Sequence, residues 1–327
     1  MKYVEIIASP RSAGTVAAIA EKAKAHDFRV NGPCDGGMQE MRMLVTDDRL
    51  QSVLDTLQNV LGAQPTARIV VLGVEAVLPK PPEPAGRKEK VFIISREALL
   101  ERMEKSARLD ANYIVLVVLS TTVAAIGLIE DSVAVVIGAM VIAPLLGPNL
   151  ALSVGTALGE GALVRRSAKT LATGILLTVA LSLGLGVVWP GELASAELLS
   201  RTDLGLESIV LALASGASTA LSLTMGLSSA LVGVMVAVAL LPPAVTFGVM
   251  AGTGDFALAL GAALLLVANI VCVNLASKLV FLAKGVLPRR SSDQKKARRT
   301  LVAYVVGWLV LLLVLIVVMY ARRAILG

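Results

Sequence analysis

Asp131-Ser-Val-Ala-Val-Val-Ile-Gly-Ala-Met-Val-Ile-Ala-Pro-Leu-Leu-Gly-Pro-Asn149 is the stretch on which the fold turns. Beyond Asp131 it carries no charge. Continued to residue 158 it forms an apolar run longer than the ~20 residues that cross a bilayer. Pro144, Gly147 and Pro148 interrupt it near the middle. Proline lacks an amide donor and its ring clashes with the preceding turn, so the helix is expected to break over 143–149. Lipid cannot satisfy the freed backbone groups, which must face protein or a water-filled cavity. A half-helix expected to begin at Asn149 would offer amide donors and a positive dipole end to an anion or a polar solute.

Outward from this stretch, charge-free apolar segments recur at 111–129, 132–158, 170–188, 208–225, 228–254, 256–277 and 301–320. They predict a polytopic α-helical membrane domain over 111–327 with about seven spans. Basic residues set orientation. Arg165, Arg166 and Lys169 follow the second segment, and seven Lys and Arg between Lys284 and Arg299 follow the sixth. Loops after the first, third and fifth are mainly acidic, with Glu130, Asp131, Glu192, Glu197, Asp203, Glu207 and Asp255. This alternation predicts a multi-pass protein of the cell (inner) membrane with its N-terminus in the cytoplasm.

The membrane domain also reads as a repeat. A shift of 95 residues pairs Gly138 with Gly233, Met140 with Met235, Pro148 with Pro243, Gly159 with Gly254 and Glu160 with Asp255. Each unit holds three spans, an odd number, so the units are expected to be inverted, an arrangement common in secondary transporters. Pro242 and Pro243 predict a second break, in the fifth span. The bland alternative is a pair of kinks healed by neighbouring helices. Polar side chains within the spans complete the candidate pathway: Thr121, Thr122, Ser218, Thr219, Asn269 and Asn274 join Pro144, Gly147, Pro148, Asn149, Pro242 and Pro243. Hydroxyls often bond only their own helix, whereas the two asparagines are costlier in lipid and should face inward. No ionisable side chain is expected inside any span.

Before the membrane domain, residues 1–80 read as a small α+β domain. Val- and Ile-rich strands at 3–8, 28–31, 38–45 and 68–78 alternate with helices at 12–25 and 47–61. The second helix owes its assignment to the spacing of Leu50, Val53, Leu54, Leu57, Val60 and Leu61. The order β-α-β-β-α-β is the ferredoxin-like unit, used by small-molecule sensors and equally by plain assembly modules. Residues 81–110 supply a Pro-rich linker and an amphipathic juxtamembrane helix.

Of 327 residues, 56% are hydrophobic and 17% charged. The net charge of +6 resides largely in loops between apolar segments, so no nucleic-acid partner is expected. Cys34 and Cys272 lie in different domains and predict no disulfide. No cofactor or metal site is apparent. His26 is the only histidine, so the spans lack the acid–base and metal-binding sets that enzymes use.

The stretch 131–148 and its counterpart Ala230-Leu-Val-Gly-Val-Met-Val-Ala-Val-Ala-Leu-Leu-Pro-Pro243 resemble the family of domain of unknown function 389. Ser95-Arg-Glu and Ala107-Arg-Leu-Asp110 are similar to that family's juxtamembrane segment. The resemblance covers about 92–285, implies a membrane protein and assigns no residue a role. The resulting expectation is a transporter or channel, not an enzyme. Its permeant would be a small anion, a neutral solute or Na⁺, and a cytosolic domain would regulate or assemble it as a homo-oligomer in the lipid bilayer. The other class is a non-transporting receptor or scaffold that senses a metabolite.

Overall fold

The computed structural model describes residues 1–34, 37–74, 77, 95–189, 195–203, 205–225, 229–284, 305–318 and 321, with backbone alone at 34 and 229–239. The Pro-rich linker and the basic stretch 285–300 lie outside the described residues. The chain divides into two compact units, Met1–Arg96 and Glu97–Gly327.

In the first unit β1 (Lys2–Ala8), α1 (Ala13–Lys22), β2 (Asp27–Cys34), β3 (Met38–Val45), α2 (Asp47–Leu61) and β4 (Arg68–Gly73) follow in that order. The sheet runs β2-β3-β1-β4 with every pair antiparallel. Alternation along β1 sends Val4, Ile6 and Ala8 to one face, where they join Met41 and Met43 of β3 in a core. Val16 and Ile19 of α1 complete it with Leu50, Val53, Leu54, Leu57 and Leu61 of α2. Val60, expected in that stripe, is 41% exposed. At 100° per residue it falls at the stripe's edge, away from the sheet. Arg96 closes the unit, with its backbone amide donating to Gln51 Oε1 at 2.9 Å and its guanidinium to Asp55 Oδ1 at 2.8 Å.

The second unit is helical: α3 (Arg96–Ser106, whose first residue belongs to the preceding unit), α4 (Ala111–Ile129), α5 (Val133–Ile142), α6 (Leu146–Leu158), α7 (Gly161–Val188), α8 (Ala196–Ser200), α9 (Leu206–Thr224), α10 (Ser229–Thr253) and α11 (Phe256–Ala283). A further helix, α12, covers Val305–Val318. Four helices, α4, α7, α9 and α11, are long and apolar enough to cross a membrane, and α5 with α6, bent by 53° at the break, are so together, as a broken span or a re-entrant loop. This is a membrane protein. Segments 228–254 and 301–320 of the expected seven fall partly outside the described residues.

Three expectations need correction. The half-helix after the break begins at Leu146, not Asn149. Ala143 takes the extended conformation (ψ 124°) that a residue before proline prefers, so Pro144 makes the break. Pro148 sits in the first turn of α6, where a missing amide costs nothing. Second, α10 runs through Pro242 and Pro243 without interruption. Here packing overrides the local defect. Leu240, Leu241, Ala244 and Val245 are fully buried in one apolar core, and Gly248 and Gly252 lie against the backbone of α7. Third, a charged side chain does lie within a span. α11 continues past residue 277 through Lys278, which is 0% exposed.

Helix bounds repeat at the 95-residue spacing. Ala111–Ile129 maps onto Leu206–Thr224 and Gly161–Val188 onto Phe256–Ala283, while α6 and α10 end at Leu158 and Thr253. Gly159 and Gly254 follow with φ of 75° and 89°, left-handed caps that a side chain would strain.

Candidate functional site

The polar residues of α6 lean toward α11, not α10. Asn149 and Ser153, one turn apart, lie on one face of α6, and both are 0% exposed. Asn274 of α11 donates from Nδ2 to Asn149 Oδ1 at 2.6 Å and to the carbonyl of Ile270 at 2.9 Å. Its Oδ1 accepts from Ser153 Oγ at 2.6 Å. Asn149 Nδ2 has no hydrogen-bond partner among the described residues. One turn beyond Asn274, Ser277 donates to the carbonyl of Gly216 on α9 at 3.0 Å. Three residues on from Gly216, Thr219 is buried with its hydroxyl unpartnered. Lys278 lies beside Ser277, its amine 4.7 Å from the ring centre of Trp308 on α12.

The other sequence-predicted residues divide. Thr121 is buried and donates to Thr178 Oγ1 of α7 at 3.1 Å. Thr122 is exposed and bonds only its own helix, at Val118. Ser218 is half-buried and Asn269 is 6% exposed. Asn269 and Asn274 are five residues apart on α11, so they point about 140° apart and cannot share one site. Pro144 lies at the break, and its neighbours Ala143 and Leu145 belong to the same apolar core as Leu241 and Ala244 beside Pro242 and Pro243. Gly147 meets α3, where a β-carbon would come within 3.0 Å of Ser106. Next to it, Thr170 Oγ1 of α7 donates to the Ala107 carbonyl at 2.8 Å, and Tyr113 OH donates to the Thr170 carbonyl at 3.0 Å. The break thus abuts the juxtamembrane segment.

Ser153, Thr178, Ser277 and Lys278 were not singled out by sequence reasoning. Helical spacing from the asparagines would have found three of them, since Ser153 is four residues from Asn149, and Ser277 and Lys278 are three and four from Asn274.

Contacts obey the same 95-residue exchange as the helix bounds. Thr121 and Thr178 correspond to Gly216 and Val273, and a β-carbon on Gly216 would lie 2.6 Å from the Val273 carbonyl oxygen. Ser153 and Asn274 correspond to Gly248 and Val179, and a β-carbon on Gly248 would lie 2.7 Å from the Val179 carbonyl oxygen. Asn149 corresponds to Ala244. The two halves therefore share a packing scheme, and one position of it is polar while its counterpart is apolar. Among the described residues no cluster of three or more His, Cys, Asp or Glu could hold a metal.

The family described as domain of unknown function DUF389 matches residues 140–275. An uncharacterised protein of Methanocaldococcus jannaschii is 33% identical over 288 residues, which cover 88% of this chain and 89% of the relative. No solved structure matches the chain.

Proposed function

We propose, for a chain that belongs to the family of domain of unknown function 389, that it moves a small solute or ion across the membrane. The observation that carries this reading is the buried Asn149–Asn274–Ser153 cluster at the start of a half-helix, inside a span bent by 53°. Buried amides and a broken helix are expensive in a bilayer and persist where they serve a permeant. In this reading the chain has seven spans, and two three-span units are inverted relative to each other. The shared helix bounds and exchanged contacts support the inversion, because units with an odd number of spans must face opposite ways. The N-terminal unit is ferredoxin-like, a reading supported by its element order and its strand order β2-β3-β1-β4. It lies in the cytoplasm, below the cell membrane, and regulates transport or assembles a homo-oligomer.

The Ser106–Gly147 and Ala107–Thr170 contacts favour a second reading as well, a receptor that passes a signal from the juxtamembrane helix without transport. Flux separates the two. Purified full-length protein in liposomes should release trapped small ions or solutes faster than empty liposomes do. Equal release for a panel of anions, Na⁺ and glycerol would leave the receptor reading.

A further inference from the structure

The hydrogen-bond pattern around Asn274 specifies what kind of group the cluster can still accept. The Ile270 carbonyl can only accept, so it fixes which end of the Asn274 amide carries the NH₂. That NH₂ also faces Asn149, which must present its oxygen in return. The Asn274 oxygen is used by Ser153. The orientation of the Asn149 amide is therefore set by its surroundings, and its remaining group is a donor: Nδ2, on a residue 0% exposed and without a partner among the described residues. Side chains on a helix tilt toward its N-terminus, so this donor leans toward the start of α6. That start has no side-chain cap, since Leu145 occupies the cap position. In its first turn Pro148 has no N–H, which leaves the Leu146 and Gly147 amides without an intrahelical partner, at the positive end of a 13-residue helix. Neither α6 nor α11 contains an acidic residue.

Resting on the transport reading above, we infer that the permeant is a small inorganic anion, bound at the start of α6 by the Asn149 side-chain amide and the first-turn backbone amides. Each oxygen of the asparagine pair is already engaged by a donor and the group left over is itself a donor, which favours an anion over Na⁺, an ion that needs oxygen ligands. A neutral solute would leave the helix dipole unanswered. The exchange symmetry adds a stoichiometry: the counterparts of Asn149, Ser153 and Asn274 are Ala244, Gly248 and Val179, which offer no side-chain donor. Each chain has one site, not two.

The test uses full-length protein in liposomes loaded separately with chloride, nitrate, phosphate, Na⁺ or glycerol. At least one of the three anions should be released, while Na⁺ and glycerol should not. Asn149→Ala should lower anion release on the order of tenfold, the loss of one hydrogen bond to a charged group. Asn149→Asp keeps an acceptor for Asn274 but replaces the donor with a negative charge, and should stop anion release altogether. Release of Na⁺ or glycerol without any anion overturns the anion site and leaves transport standing. Release of none of the five removes the transport reading, and the anion site with it. Unchanged anion release in both variants refutes the site while both transport and anion selectivity survive. If neither variant assembles, the wild-type melting temperature decides. It should rise with the released anion at constant Na⁺, and a flat response overturns the proposal.

Discussion

Lys278 changes what the membrane unit is made of. It is the one fully buried charged residue among those described, and a reading of charge-free runs stops one residue short of it. That reading takes any charge as the end of a span, whereas a lysine stem is apolar and can carry its amine along a protein surface to an aromatic face. The amine over Trp308 should contribute about 1–2 kcal/mol when shielded from water. Trp308→Leu is therefore expected to lower resistance to thermal denaturation in detergent. In a Lys278→Met background the same change should cost markedly less, and the difference measures the coupling. Equal losses in both backgrounds would mean that Trp308 contributes only packing.

At the scale of elements, the two proline sites behave differently although the sequence presents them as equivalents. Pro144 has an extended residue before it and breaks the span; Pro148 is absorbed into a first turn; Pro242 and Pro243 stay inside α10. Pro144→Ala should permit the 143–145 backbone to turn helical, reduce the bend and cut flux several-fold. Pro148→Ala should leave flux near wild type, since α6 already starts ahead of it. The reverse ranking, measured in the same liposome assay, would put the functional break at Pro148. This also marks what was legible in the sequence. That a break exists between residues 143 and 149 follows from proline chemistry alone. That Pro242 and Pro243 make no matching break depends on tertiary contacts, such as Gly248 against Val179, that no local pattern contains. The site was legible to the same extent. Asn149 stood out as the expected start of the half-helix and Asn274 because amides are costly in lipid, while Ser153 and Ser277 looked like the many hydroxyls that bond only their own helix.

For the whole molecule, orientation is the first quantity to measure. With the N-terminus in the cytoplasm, cysteines placed at Ser200 and Thr253 should react with an impermeant thiol reagent applied to intact cells, in a background lacking Cys34 and Cys272. A cysteine at Ser292 should react only after the membrane is opened. Labelling of the Ser292 position in intact cells would reverse or break the seven-span arrangement. The two left-handed caps, Gly159 and Gly254, bear on a different property, tolerance to insertion. The bounds of α4 and α7 and the end of α6 match those of α9, α11 and α10 to the residue at this spacing, so neither 111–188 nor 206–283 has gained or lost net length relative to the other. Connections between helices ordinarily drift in length as sequences diverge; these have not. Each cap and the acidic residue after it form a two-residue connection, and one added residue would rotate the following helix by about 100°. An alanine inserted after Gly159 or Gly254 should therefore abolish stable expression, whereas one inserted between residues 190 and 194, outside the two matched stretches, should be accepted. Expression levels of the three insertions, read on a single gel, would show whether the length of these connections is itself under selection.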